Sequence, residues 1–171
     1  MKNRNNKTVK VPMRYLPKSL SKKDKTKQIR ELRRSRTQYK KGSYYTRTTA
    51  KSFHSKPSPH IARAQKIYNV AKISPSSELA KKTGCSIGSL QKIVKKGQGA
   101  YFSSGSRPNQ TSHSWGSARL ASAITAGKAA AVDYKILENG CKPNSKALRL
   151  ARTAKRKYGF GHGKTKKIVI G

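Results

Sequence analysis

Acidic residues are almost missing from this chain, which has 5 Asp and Glu against 41 Lys and Arg in 171 residues. They stand at Asp24, Glu31, Glu78, Asp133 and Glu138, a spread that offers no paired-carboxylate site for general acid–base chemistry. Cysteine is nearly absent too, with only Cys85 and Cys141 present, and their spacing is not that of a metal site. Both have apolar neighbours, so buried thiols are the expectation and a disulfide is the alternative. His54, His60, His113 and His162 are scattered without ligand spacing, and no Ser or Cys has an evident His and acid partner set. These absences predict no enzymatic activity, no metal, no cofactor and no small-molecule substrate. No apolar run approaches the ~20 residues of a membrane span. The opening MKNRNNKTVKVP lacks the apolar run of a secretory signal, so an intracellular protein is expected. Asn6-Lys7-Thr8 and Asn109-Gln110-Thr111 match the glycosylation pattern, which carries no meaning without secretion.

What the chain has in excess is positive charge, +36 formally, while hydrophobic residues make up 33%. A core is possible but thin, and like charges at this density repel. A polyanion is the natural stabiliser: DNA, RNA, or an acidic capsid or ribosomal surface. The charge is uneven. Residues 1–60 hold 19 basic and 2 acidic residues, residues 61–142 hold 13 and 3, and residues 143–171 hold 9 and none. The expected organisation is therefore a basic arm with one helix over 1–57, a helical domain over 58–142, and a basic helix and tail over 143–171. The fold class is mainly α: a small helical domain with a helix-turn-helix-like core and extended basic N- and C-terminal arms.

That core is read in Ser74–Tyr101, SPSSELAKKTGCSIGSLQKIVKKGQGAY. Ser74 can cap a helix with Pro75 at its first position and Glu78 in its first turn. Gly84 supplies a left-handed residue for the turn. Ser86 can cap a second helix with Ile87, Leu90, Ile93 and Val94 inward, and Gly97 is expected to end it. Small Ala80, Gly84 four residues on, and apolar Leu79, Cys85, Leu90 and Ile93 have the spacing of a helix-turn-helix over 75–97. Packed helix pairs of this shape also occur in proteins that never touch DNA.

The remaining elements follow from capping and periodicity. Met1–Pro17 has no helical period and reads as an extended arm. Ser21-Lys22-Lys23-Asp24 can form a capping box for a helix to about Arg34, with Ile29 and Leu32 as a narrow apolar stripe. In Tyr39–Phe53, Tyr44 and Tyr45 can stack on bases while Lys40, Lys41 and Arg47 meet phosphates. The favoured reading is a loop pinned to the core by its aromatics. Ser58-Pro59 starts a helix carrying Ile61, Ala64, Ile67, Tyr68 and Ala71, expected to pack on the helix-turn-helix. A long loop after Gly97 leads to a helix opened by Trp115 and ended by Gly127. Residues 128–138 form one helix, and Asn144 caps a last, basic one. The closing KKIVIG is β-prone and suited to a neighbour's sheet edge. GFGHGKT fails as a phosphate loop, because Tyr158 stands where a Gly is required and only six residues follow Thr165.

Three stretches, Arg14–Arg47, Ser58–Val70 and Glu78–Cys141, resemble a family of small basic proteins encoded by large nucleocytoplasmic DNA viruses, including algal viruses. A shorter version of Lys81–Arg119 is similar to segments of tailed-phage proteins. The resemblance implies a viral origin and no assigned enzymatic activity, and residues past Cys141 lie outside it. Together with the charge it implies a minor capsid or cement protein that bridges capsid subunits on the inner side of the shell. Its partners would be other capsid proteins, with viral DNA as a further candidate. Its place would be the virion and, in infected cells, the cytoplasm or assembly site. The alternative is a helix-turn-helix DNA-binding or genome-condensing protein. There Ser89, Gln91 and Lys92 would face the groove, and Lys95, Lys96 and Arg107 would meet phosphates. A ribosomal protein fits size and charge, but the resemblance points elsewhere.

Overall fold

A computed structural model describes residues 8–161 and 165–170. The Asn6-Lys7-Thr8 pattern, the first part of the expected N-terminal arm, His162 and the Gly163-Lys164 step of the glycine-rich tail thus lie wholly or partly outside the described residues. The fold is mainly α, as expected. Its elements run β1 (Val9–Pro12), a single 3-10 turn (Met13–Tyr15), α1 (Lys22–Lys40), α2 (Pro59–Tyr68), α3 (Ser77–Thr83), α4 (Ile87–Ser103), α5 (Ser112–Ala123), α6 (Lys128–Val132), α7 (Tyr134–Gly140), α8 (Lys146–Tyr158) and β2 (Lys167–Ile170). No helix among the described residues is long and apolar enough to cross a membrane. Contacts divide the chain into two units: 1–55 with 100–111 and 164–171, and 56–99 with 112–163.

The first unit joins the two ends of the chain. β1 and β2 pair antiparallel, Val9 opposite Ile170 and Pro12 opposite Lys167, and Met13 N donates to Lys166 O at 2.9 Å. Val11 and Ile170 are buried, so the strands are not free extensions. The β-prone tail finds its sheet edge in its own chain rather than in a neighbour, because Val9–Pro12 supplies a matching apolar alternation.

α1 runs to Lys40, past the expected end near Arg34, and its inner face buries Gln28, Glu31, Leu32 and Ser35. Three of those four are polar, which is why an apolar stripe count undersized the helix. Ser21 Oγ accepts from Asp24 N at 3.2 Å. The return bond of a capping box is relayed: Asp24 Oδ2 accepts from Ser52 N at 2.8 Å and Ser52 Oγ at 2.6 Å, while Ser21 N donates to Ser52 Oγ at 3.0 Å. These bonds to the charged form hold the Asp24 carboxyl below its ordinary pKa.

Residues 43–53 have little regular structure, and their backbone is held by side chains. Glu31 accepts from Thr48 N at 2.9 Å and from Thr48 Oγ1 at 2.7 Å. Asn109 accepts from Ala50 N at 2.7 Å and donates to Phe53 O at 2.7 Å. The buried backbone is thereby satisfied without helix or sheet.

The second unit is a small bundle. α2 packs on α5 and less on α3, so it joins the helix pair mainly through α5, and α6 lies between α5 and α8. Leu79, Leu90, Ile93, Leu120, Ile124, Leu137 and Leu148 fill its centre, with Ala64, Ala121, Ala130, Ala147, Ala151 and Ala154 where helices meet. Tyr68 is buried and its hydroxyl donates to Ile124 O at 2.6 Å; burial pushes that hydroxyl's pKa up.

The caps differ in detail from the expectation. Ser76, not Ser74, caps α3 by accepting from Leu79 N, and Ser145, not Asn144, caps α8 by accepting from Leu148 N. In both runs more than one cap-competent residue is adjacent, so residue type alone does not choose among them. Gly97 does not end α4. A Cβ at Gly97 would lie 2.7 Å from Gly116 Cα, so the glycine permits a close crossing of α4 and α5 inside continuous helix. The expected long loop shrinks accordingly, because α4 continues to Ser103 and α5 begins at Ser112.

Candidate nucleic-acid interface

α3, the turn at Gly84–Ser86 and the first half of α4 form the expected helix-turn-helix-like pair. Gly84 ends α3 at φ +73°, a left-handed conformation that side chains disfavour. Ser86 Oγ accepts from Ser89 N at 3.2 Å and so caps α4.

The turn is then fastened to the segment after α7. Ser86 N donates to Gly140 O and Lys142 N donates to Gly84 O, both at 2.8 Å. Cys85 and Cys141 form the non-hydrogen-bonded pair between these two bonds, the position where opposed side chains come closest. They are joined as a disulfide rather than standing as two thiols. Sequence spacing did not decide between these outcomes because the pairing is made by tertiary strand contact.

The outer face of this unit is cationic. α4 exposes Gly88, Gln91, Lys92 and Lys95, a run at helical spacing. Ile87, expected inward, is exposed with them because it stands in the first turn, ahead of the buried Leu90 and Ile93. An open depression of about 340 Å³ lies between the end of α3 and the start of α8, with Lys81, Lys82, Lys142 and Lys146 in its lining and no acid there. α8 continues the charge. Ala147, Leu148, Ala151 and Ala154 face inward, while Lys146, Arg149, Arg152, Lys155, Arg156 and Lys157 are exposed. Phosphates are the ligands that such a surface attracts.

The residues proposed for groove contact divide. Gln91, Lys92 and Lys95 are exposed and share a face of α4. Ser89 is removed from the set: it is buried at 7% exposure, and its Oγ lies 2.9 Å from Ser86 Oγ. Lys96 is exposed along its stem, but its Nζ sits 2.6 Å from Asp133 Oδ1. Arg107 is exposed but belongs to the other unit.

Asp133 is a feature that sequence reasoning missed. Residues 128–138 do not form one helix; α6 and α7 meet at Asp133, whose backbone leaves helical geometry there. The carboxylate is fully buried, and Arg119 grips both of its oxygens, Nε to Oδ2 at 2.7 Å and Nη2 to Oδ1 at 2.8 Å. Lys96 completes the knot, so α4, α5 and the α6–α7 break are tied through one acid. This is a structural arrangement, because every carboxylate oxygen is occupied.

Arg47 is the second residue whose place sequence reasoning did not settle: the favoured reading pinned its loop to the core through aromatics, and only the base-stacking alternative gave Arg47 to phosphates. It is buried at 8% exposure instead of meeting phosphates. Its guanidinium lies 3.8 Å from the Tyr101 ring centroid and donates to Ser35 Oγ, Tyr101 O and Ser106 Oγ at 3.0, 2.9 and 2.7 Å. Burial lowers its pKa, opposed chiefly by Tyr101. No signal in a chain with 41 basic residues separates this one from the rest.

Among the described residues, no three His, Cys, Asp or Glu side chains converge as a metal site would require. The model of a family of unknown function, DUF5824, matches residues 12–158. No curated protein and no solved structure matches the chain.

Proposed function

The chain belongs to the DUF5824 family, whose function is unknown, and from that premise we propose that it is a non-enzymatic structural protein of a large DNA virus particle. It binds polyanions on the inner side of the shell, where acidic capsid surfaces and packaged genome are both within reach. The viral setting rests on the sequence resemblance. The polyanion reading rests on one observation: three of the few acids, Asp24, Glu31 and Asp133, are occupied by partners within the protein. The +36 is already net of all five acids, and with these three turned to internal partners the surface cations have few acids of their own to pair with, which leaves that charge for an outside partner. Bridging is assigned to the cationic faces rather than to free arms, since β1 and β2 pair with each other.

Copy number per particle, from quantitative mass spectrometry of purified virions, tests this directly. A fixed high number, retained after DNA is stripped, supports a shell component. Trace amounts, or absence from virions, reject it.

A duplex-DNA reading is the alternative, favoured by the acid-free face of α4. Lys92→Gln with Lys95→Gln is expected to lower the slope of log affinity against log salt by about 1.8, at roughly 0.9 per phosphate contact. An unchanged slope would remove this face from the reading, and unmeasurable duplex affinity at low salt would end it.

A further inference from the structure

Tyr44 is the exposed tyrosine for which burial gives no account: 71% of it faces solvent. Other tyrosines are placed for internal work, Tyr101 and Tyr15 in the core of the first unit and Tyr68 in that of the second. Tyr44 instead stands at the middle of a small aromatic ridge. Its ring centroid lies 5.0 Å from Phe102 and 6.1 Å from Tyr39, tilted at 57° and 58°. Tyr39 itself is 38% exposed.

The ridge is held in place before anything binds. Lys41 N and Ser43 N both donate to Gln38 O at 2.9 Å, and Gly42 N donates to Tyr39 O at 3.0 Å, which closes the turn between the two tyrosines. Ser35 Oγ donates to Phe102 O at 3.1 Å and fixes the third ring's backbone. Lys40 and Lys41 are exposed on that turn, and no acid occurs between Glu31 and Glu78. Glu31 is buried and taken by Thr48.

An open aromatic face beside lysines, with no acid to oppose an anion, matches stacked bases on a phosphate backbone. A duplex hides its base faces inside the stack, so it cannot use the ring. A protein partner would seek apolar area, which one tyrosine ringed by lysines offers poorly. We propose that the Tyr39–Tyr44–Phe102 ridge, with Lys40 and Lys41, binds single-stranded nucleic acid by stacking a base on Tyr44. The site is independent of the cationic faces of the second unit, so either can fail without the other.

The experiment uses the full chain with a fluorescein-labelled 20-nucleotide oligo(dT) and, separately, a 20-base-pair duplex. Tyr44→Ala is expected to weaken oligo(dT) binding about tenfold, within the range for loss of one base–aromatic stack. Duplex binding should change by less than about twofold. Tyr44→Trp should restore oligo(dT) affinity and, with unlabelled oligo(dT), show tryptophan quenching beyond that of the parent chain, whose Trp115 sets the baseline. Far-UV circular dichroism of each variant guards against misfolding. Equal weakening toward strand and duplex, no effect of Tyr44→Ala, or quenching of the Tyr44→Trp variant no greater than that of the parent chain each overturns the proposal. A selective loss of binding to an acidic peptide, with oligo(dT) binding intact, would assign the ridge to a protein partner and equally overturn it.

Discussion

Asp133 and Arg47 show what burial does to a charged side chain in a protein with few acids. Asp133 is enclosed completely, and the two cations on it differ in exposure: the Arg119 side chain is 22% exposed and that of Lys96 is 47% exposed. Replacing the acid leaves two cations facing each other with no counter-charge. Asp133→Asn is therefore expected to cost about 3 kcal/mol of unfolding free energy, as for other broken buried pairs. Lys96→Gln should cost less, about 1 kcal/mol, because water already screens that partner. Urea titration at pH 7 measures both, and equal stability of Asp133→Asn and the parent chain would refute the account. Neither residue was legible locally. In KAAAVDYKILE Asp133, one of two acids, reads as the exposed side of a helix, and Arg47 reads as one more cation in a basic loop. Their roles depend on partners 14 and 54 positions away, which no window of sequence reports.

At the scale of elements, the helices were mostly legible and their ends were not. α2, α3 and α8 were readable because Ser, Pro and Gly stood at their boundaries and apolar residues recurred at helical spacing. α4 was cut short on paper by Gly97, a residue that elsewhere stops helices. Its use here is to let α5 approach: Gly116 meets α4 in turn, and a Cβ there would lie 2.9 Å from Val94 O. The same helix offers a control, since a Cβ at Gly88 would meet nothing within 4 Å. Gly88→Ala should stabilise the protein by about 0.5 kcal/mol through helix propensity. Gly97→Ala should destabilise it by about 2 kcal/mol through overpacking against backbone that cannot move aside. Thermal unfolding of the pair, scanned side by side, checks the opposite signs. If both substitutions stabilise, the close crossing is not what selects the glycine.

On the scale of the whole chain, distant segments are tied within each unit. β1 and β2 bring the ends together in the first, and Cys85–Cys141 fastens the helix-turn-helix-like pair to the start of the α8 segment in the second. The disulfide closes a sequence separation of 56 residues. A loop of that length, if open, adds unfolded-state entropy worth roughly 4 kcal/mol on the chain-entropy account. Cys85→Ser with Cys141→Ser, or reduction of the parent protein, should lower the unfolding midpoint in urea accordingly. Identical midpoints with and without reductant would show that the bond is not formed in solution.

Composition and periodicity were enough to establish a mainly helical, strongly cationic protein with a helix pair at Gly84, since charge and apolar spacing are written residue by residue along the chain. Which cations stay free, which glycine ends a helix, whether the cysteines join and where the terminal strand pairs were decided only in three dimensions. Each of those outcomes is a contact between residues far apart in sequence, and its energy does not exist until both partners have been brought together.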